Sequence, residues 1–62
     1  MDIKKATQRK LQYNLDKLVE LEELIEVTEF SISNNAKEHL YNSIKKTKEN
    51  INYYAEILKA LA

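Results

Sequence analysis

His39 is the only histidine among the 62 residues, which makes it the first candidate for acid–base chemistry. A general base needs a nucleophile or an orienting carboxylate within hydrogen-bond reach. If the chain folds back on itself near residue 33, Glu26 faces His39 across the turn, and the two side chains could form a weak dyad. A solvent-facing histidine beside a helix start explains the same pattern more simply. We therefore expect no enzymatic activity.

Three glutamates offer the next possible site. Glu22, Glu26 and Glu29 lie at positions i, i+4 and i+7 on one side of a helix, and with His39 they could bind a hard or borderline cation. Di-iron bundles use Glu-x-x-His pairs, and that motif is absent because residue 36 is Ala. A solvated acidic face that pairs with Lys37 and Lys45 explains the glutamates more simply. We expect no metal and no cofactor.

Lysines and tyrosines share the second half of the chain, in a pattern that could bind nucleic acid: Lys45, Lys46, Lys48, Tyr41, Tyr53 and Tyr54. Clustered positive charge binds the phosphate backbone, and aromatic rings stack on bases. The chain has zero net charge, however, and Arg9 is its single arginine, the residue type favoured for phosphate and guanine. A nucleic-acid-binding regulator that uses Lys45, Lys46 and Lys48 is therefore the alternative hypothesis.

The composition excludes several classes of site. The chain contains no Gly, Pro or Cys, so it has no Gly-rich phosphate loop, no disulfide and no thiolate ligand. No apolar run approaches the roughly 20 residues that a membrane span requires, and the first residues do not resemble a secretory signal. We expect a cytoplasmic protein with no membrane association.

Strong helix formers fill both halves of the chain, and one polar segment at 30–35 interrupts them. The sequence predicts a single helical-hairpin domain with a first helix at about 3–30, a turn at about 31–35 and a second helix at about 36–61. Asn35 is the expected N-cap, with Glu38 completing a capping box, and Ser33 is the second candidate. The β-branched residues of 25–33 leave a strand as the alternative for that segment.

Both predicted helices carry apolar residues at heptad spacing, as in coiled coils. The expected seam consists of Leu11, Leu15, Leu18, Leu21 and Ile25 in the first helix, extended backward by Ile3 and Thr7, and of Leu40, Ile44, Thr47, Ile51, Tyr54, Leu58 and Leu61 in the second. In an antiparallel hairpin that turns between Ile32 and Ser33, these positions face one another. Asn14 and Thr47 are polar residues on or near this seam, where such residues often fix register. For Thr47 we expect instead that the hydroxyl bonds to the backbone of its own helix.

Several large apolar residues fall off the seam, and a single hairpin cannot cover them: Tyr13, Val19, Leu24, Val27, Phe30, Tyr41, Tyr53 and Ile57. Exposed apolar patches mark protein contacts. We expect an all-α antiparallel hairpin that forms a homodimeric four-helix bundle. Five of these residues are the candidates for the dimer contact, a protein partner, or both: Tyr13, Leu24, Val27, Phe30 and Tyr53. The expected function is that of a small non-enzymatic interaction module, such as a regulator, inhibitor or adaptor.

In length and in its two heptad-patterned helices, the chain resembles the Rop-type plasmid RNA-binding hairpins, which dimerise into four-helix bundles. It also has the size of the small hairpin phosphatases that act on sporulation response regulators, but it lacks their Ser-Gln-Glu-Leu-Asp signature. Because one fold hosts many functions, these resemblances imply an architecture and no activity.

Overall fold

The computed structural model describes residues 2–28 and 30–62, which form two long helices joined by a short turn. Helix α1 spans Ile3–Thr28 and helix α2 spans Asn34–Leu61. The helices pack against each other along a rod of 44 × 15 × 14 Å. The predicted all-helical hairpin is therefore confirmed.

The turn lies about two residues earlier in the chain than the sequence predicts, because α1 ends at Thr28 and α2 begins at Asn34. Helix α1 ends at Thr28, while Phe30 and Ser31 lie in the turn; Glu29 lies outside the described residues. The amide and the hydroxyl of Ser31 both donate to the Thr28 carbonyl oxygen, at 2.9 and 3.2 Å. Across residues 2–28 and 30–62 no residue has a positive φ, so the turn does not need glycine.

The strand considered for residues 25–33 does not form in the described part of that range, residues 25–28 and 30–33. Ile25–Thr28 belongs to α1, and residues 30–33 form the turn that leads into α2. A strand needs a partner strand for its backbone groups, and the described part of the chain contains only helices and the turn. Continuing the helix satisfies the same groups locally.

Ser33, and not Asn35, caps the second helix. Its backbone is extended, with φ −69° and ψ 161°, and its hydroxyl accepts a hydrogen bond from the Ala36 amide at 3.2 Å. The third residue after this cap is Ala36, so the predicted capping box with Glu38 does not form. At the start of α1, Asp2 accepts the Lys5 amide in the same way, at 3.2 Å. A side-chain oxygen therefore caps the N-terminus of each helix.

The contact between the helices is polar at its most buried points. Among the described residues no hydrophobic side chain is fully buried, and the three buried residues are Thr7, Asn14 and Thr47. Leu15, predicted on the seam, is 39% exposed. Asn14 takes the buried position beside it because Thr7, Asn14 and Leu21 recur at intervals of seven and together face α2.

Candidate functional site

The three buried polar side chains between α1 and α2 form hydrogen bonds mainly within their own helices. The Thr7 hydroxyl donates to the Ile3 carbonyl and the Thr47 hydroxyl to the Ser43 carbonyl, both at 2.7 Å. The Asn14 amide donates to the Lys10 carbonyl at 2.7 Å. Such bonds satisfy buried polar groups without linking the two helices.

A hydrogen bond between side chains of the two helices shows the register in which α1 and α2 pack. The Asn50 amide nitrogen donates to the Asn14 side-chain oxygen at 3.4 Å. The two positions lie within one residue of the predicted register, in which Leu15 lies beside Ile51. Asn14 therefore lies level with Asn50. Because both helices rise equally per residue, the numbers of an α1 residue and an α2 residue at the same level add up to about 64.

The buried residues Asn14 of α1 and Thr47 of α2 mark the line that divides the hairpin into two faces. At about 100° per residue, Leu15 lies about 100° from Asn14 in one sense, and Leu24 lies about 80° away in the other. The same measure on α2 places Ile44 and Ile51 on one side of Thr47 and His39 on the opposite side. Leu24 and His39 line one groove, so they share a face. Leu15, Ile44 and Ile51 consequently share the other.

The first face, here called the Leu24 face, carries an open apolar groove of about 380 Å³ near the turn. Leu24 also lines a second depression of about 320 Å³ along α1, so it takes part in both cavities. The first groove runs between the helices and is lined mainly by small and apolar side chains, among them Leu24, Thr28, Ile32, Ala36, His39 and Leu40.

Four of the five predicted contact residues lie on the Leu24 face. Tyr13, Leu24, Val27 and Tyr53 share it by helical periodicity, and all four are exposed. Phe30 lies apart from them in the turn and is 96% exposed. The ammonium of Lys17 lies 6.0 Å from the Tyr13 ring centre, and the Tyr53 ring packs edge-on against Tyr54 at 5.3 Å.

The middle of the Leu24 face carries polar side chains beside Tyr13. On this side of Asn14 and Thr47, helical periodicity places Lys17, Ser43, Lys46 and Asn50. Lys17, Lys46 and Asn50 lie between the groove near the turn and the two tyrosines, Tyr13 and Tyr53. The apolar groups of this face therefore form two patches and not one continuous surface.

The opposite face, here called the Leu15 face, carries an apolar stripe along the middle of the rod, formed by Leu11, Leu15, Val19, Ile44 and Ile51. Leu15 is 39% and Val19 is 54% exposed, and the other three are half-buried. The sequence predicted that Val19 lies off the seam, but it did not predict this face, because it placed Leu15 on the seam. The signal was available in the heptad of Thr7, Asn14 and Leu21, which moves the seam away from Leu15.

The lysines considered for nucleic-acid binding do not share a face. Lys45, Lys46 and Lys48 are exposed on α2. Successive residues are rotated by about 100°, so Lys46 and Lys48 point to opposite faces of the hairpin, about 160° apart, and Lys45 points away from α1.

The groups considered for catalysis and metal binding are also separated. His39 lines the apolar groove of the Leu24 face, whereas Glu26 lies on the Leu15 side of α1 by periodicity. Within residues 2–28 and 30–62, no group of three or more His, Asp or Glu side chains is arranged to hold a metal ion. Glu29, the third glutamate of the considered cluster, lies outside the described residues.

Comparisons with known proteins give no relative. No protein-family model, curated protein or solved structure matches the chain. In the described part of the chain, neither helix has the length and apolar character needed to cross a membrane. The two faces of the hairpin are therefore the features on which a functional proposal rests.

Proposed function

We propose that this protein is a non-enzymatic interaction module that works as a self-associating helical hairpin, with a homodimeric four-helix bundle as its assembled form. The observation that carries the proposal is that the hairpin buries polar side chains and exposes large apolar ones. Its buried side chains are Thr7, Asn14 and Thr47, while ten large apolar side chains of the described residues are exposed. A second copy would cover this surface and supply the missing apolar core.

The size of the chain supports the same conclusion. A domain of about 60 residues buries only about 60% of the surface of its unfolded chain, which leaves little margin of stability. The chain contains no cysteine for a disulfide. Small scaffolds of this kind are stabilised by idealised helix packing or by oligomerisation. Because no fully buried hydrophobic residue occurs among those described, oligomerisation is the better supported route.

Thermal unfolding at several protein concentrations tests the proposal. If folding is coupled to association, the midpoint of the helical signal rises with protein concentration, since mass action favours the assembled state. We expect an increase of several degrees over a hundredfold range of concentration. A midpoint that does not change with protein concentration would show that the monomer folds without association and would contradict the proposal.

The alternative, a nucleic-acid-binding regulator, has weaker support, because Lys45, Lys46 and Lys48 diverge around α2 and the net charge is zero. A fluorescence-anisotropy titration at low ionic strength with single- and double-stranded DNA and RNA tests it. A binding constant that falls steeply with salt, and falls further when the three lysines are replaced by Ala, would favour the alternative. Under the proposal, the triple variant associates with itself as the parent chain does.

A further inference from the structure

We propose that the apolar groove near the turn of the Leu24 face docks a basic amphipathic helix of a partner protein. The apolar side chains of that helix lie in the groove, and its lysine or arginine side chains lie beside Glu20 and Glu23. The inference goes beyond self-association, because it assigns this groove to a partner other than a second copy.

The dimensions of the groove suit a third helix. The groove is an open cavity of about 380 Å³ that runs between the two helices. Its lining on α2 extends from Ala36 to Ser43, which lie about 10 Å apart along the axis at 1.5 Å per residue. Positions i and i+7 of a docked helix are separated by the same distance. Amphipathic helices place apolar anchors at such positions when they bind in hydrophobic grooves.

The floor of the groove is apolar and accessible. Leu24, Ile32 and Leu40 line it, together with the small side chain of Ala36. Leu24 is 46% exposed, and Ile32 and Leu40 are half-buried. A partner side chain that packs on these residues therefore removes further apolar surface from water, which favours binding.

Carboxylates border this apolar floor on the α1 side. The second depression, which shares Leu24 with the groove, is lined by Glu20, Glu23 and Val27. Both glutamates are exposed. An apolar surface with a charged border of one sign is complementary to an amphipathic partner of the opposite sign. The same carboxylates repel nucleic acid and anionic lipid, so a cationic protein segment is the occupant that fits.

The turn end of the hairpin offers little positive charge of its own to this border. Residues 18–44 contain six glutamates and a single lysine or arginine, Lys37. Lys37 and His39 are two residues apart on α2, so their side chains point about 160° apart. His39 lines the groove, and Lys37 therefore lies on the Leu15 face.

The two lysines on the turn side of Tyr13 on the Leu24 face, Lys17 and Lys46, lie nearer the middle of the rod. Lys17 is about one turn from Glu20, close enough for an ion pair along α1, and its ammonium lies 6.0 Å from the Tyr13 ring centre. Glu23 has no lysine or arginine within four positions along α1. The lysines therefore mark the inner end of the acidic border, and the docked helix places its own basic side chains toward the turn.

A designed peptide tests the docking. The probe is a fluorescein-labelled amphipathic helix of about 18 residues, roughly 27 Å long, with leucines at heptad spacing and lysines beside them. A second peptide carries glutamate in place of every lysine. Fluorescence anisotropy at low ionic strength should give at least about tenfold tighter binding of the lysine peptide, since it alone complements Glu20 and Glu23. Equal affinities, or no binding of the lysine peptide, would overturn the proposal.

Two matched double substitutions test the acidic border. The first, Glu20→Gln with Glu23→Gln, removes both carboxylates that line the second depression. The second, Glu22→Gln with Glu26→Gln, removes two exposed carboxylates of the same helix on its Leu15 side. We expect the first pair to weaken binding of the lysine peptide about fivefold and the second to change it by less than about twofold. An equal loss in both variants would show a dependence on net charge alone and would contradict the assignment to this border.

A further matched pair tests the apolar floor. Leu24→Ser and Leu15→Ser change the same residue type on the same helix, at side chains that are 46% and 39% exposed. We expect Leu24→Ser to weaken binding of the lysine peptide about tenfold and Leu15→Ser to change it by less than about twofold. Equal sensitivity at the two positions would overturn the choice of groove.

Sedimentation of the same samples separates this inference from self-association. A monomer that binds the lysine peptide contradicts the proposed function and supports the docking site. A dimer that does not bind the peptide, and that dissociates when Leu24→Ser is introduced, would show that a second copy occupies the groove. That result would overturn the docking site and support self-association.

Discussion

The Asn50 side-chain amide donates to the side-chain oxygen of Asn14 across the helix contact at 3.4 Å. Asn14 is buried and Asn50 is half-buried. Asn14 therefore accepts a hydrogen bond from the other helix while its own amide donates to the Lys10 carbonyl of its own. A polar pair in this position specifies one register over its neighbours, as single buried asparagines do in coiled coils.

Asn50→Ala removes the donor and leaves the buried Asn14 oxygen without a protein partner. We expect a loss of about 1 kcal/mol in the free energy of unfolding, the usual cost of an unmade buried hydrogen bond. Urea unfolding at one fixed protein concentration measures it. A double-mutant cycle with Asn14→Ala should give a coupling of about 0.5–1 kcal/mol; zero coupling would mean that the two amides do not interact.

Ser33→Ala should destabilise the hairpin, because its hydroxyl accepts the Ala36 amide at the start of α2. The expected loss is about 1 kcal/mol, typical of a removed N-cap. Asn35→Ala is the matched control: Asn35 lies inside the first turn of α2, and we expect its substitution to change stability by less than about 0.5 kcal/mol. Thermal unfolding of both variants decides which residue is the cap, and an equal or larger loss at Asn35 would contradict the assignment to Ser33.

Thr47→Val should stabilise the hairpin. Thr47 is 3% exposed, and its hydroxyl donates to the Ser43 carbonyl, a group that α2 already pairs within its own backbone. Valine has nearly the same shape, so the substitution exchanges a buried hydroxyl for a methyl group and leaves no required partner unsatisfied. We expect a gain of about 0.5–1 kcal/mol. A loss in the unfolding experiment would show that the hydroxyl has a partner outside its own helix.

The hairpin itself was predictable because helix formers and heptad spacing require only local information. The exact seam was not predictable in the same way. The presence of apolar residues at heptad spacing favours Leu15 over Asn14 as the seam position. The structure instead buries Thr7 and Asn14, whose side chains are smaller than leucine. The preference for Asn35 as the cap failed for a related reason: Ser, Asn and Asn are all good caps, and the turn geometry chooses among them.

The candidate contact surface was also predictable only in part from the sequence. Exposure of Tyr13, Leu24, Val27, Phe30 and Tyr53 followed correctly from their positions off the predicted seam. Their role in a contact remains a prediction. The Leu15 face emerged only from the structure, because a rotation of α1 by a fraction of a turn moves Leu15 from the seam to the surface.

Sedimentation equilibrium of the unmodified chain at micromolar concentration tests the central claim most directly. The claim is that the hairpin supplies only half of its own core and that a second copy supplies the rest. It predicts a mass of twice the 7.3 kDa of one chain. A folded, helical species that remains at 7.3 kDa throughout the micromolar range would contradict it.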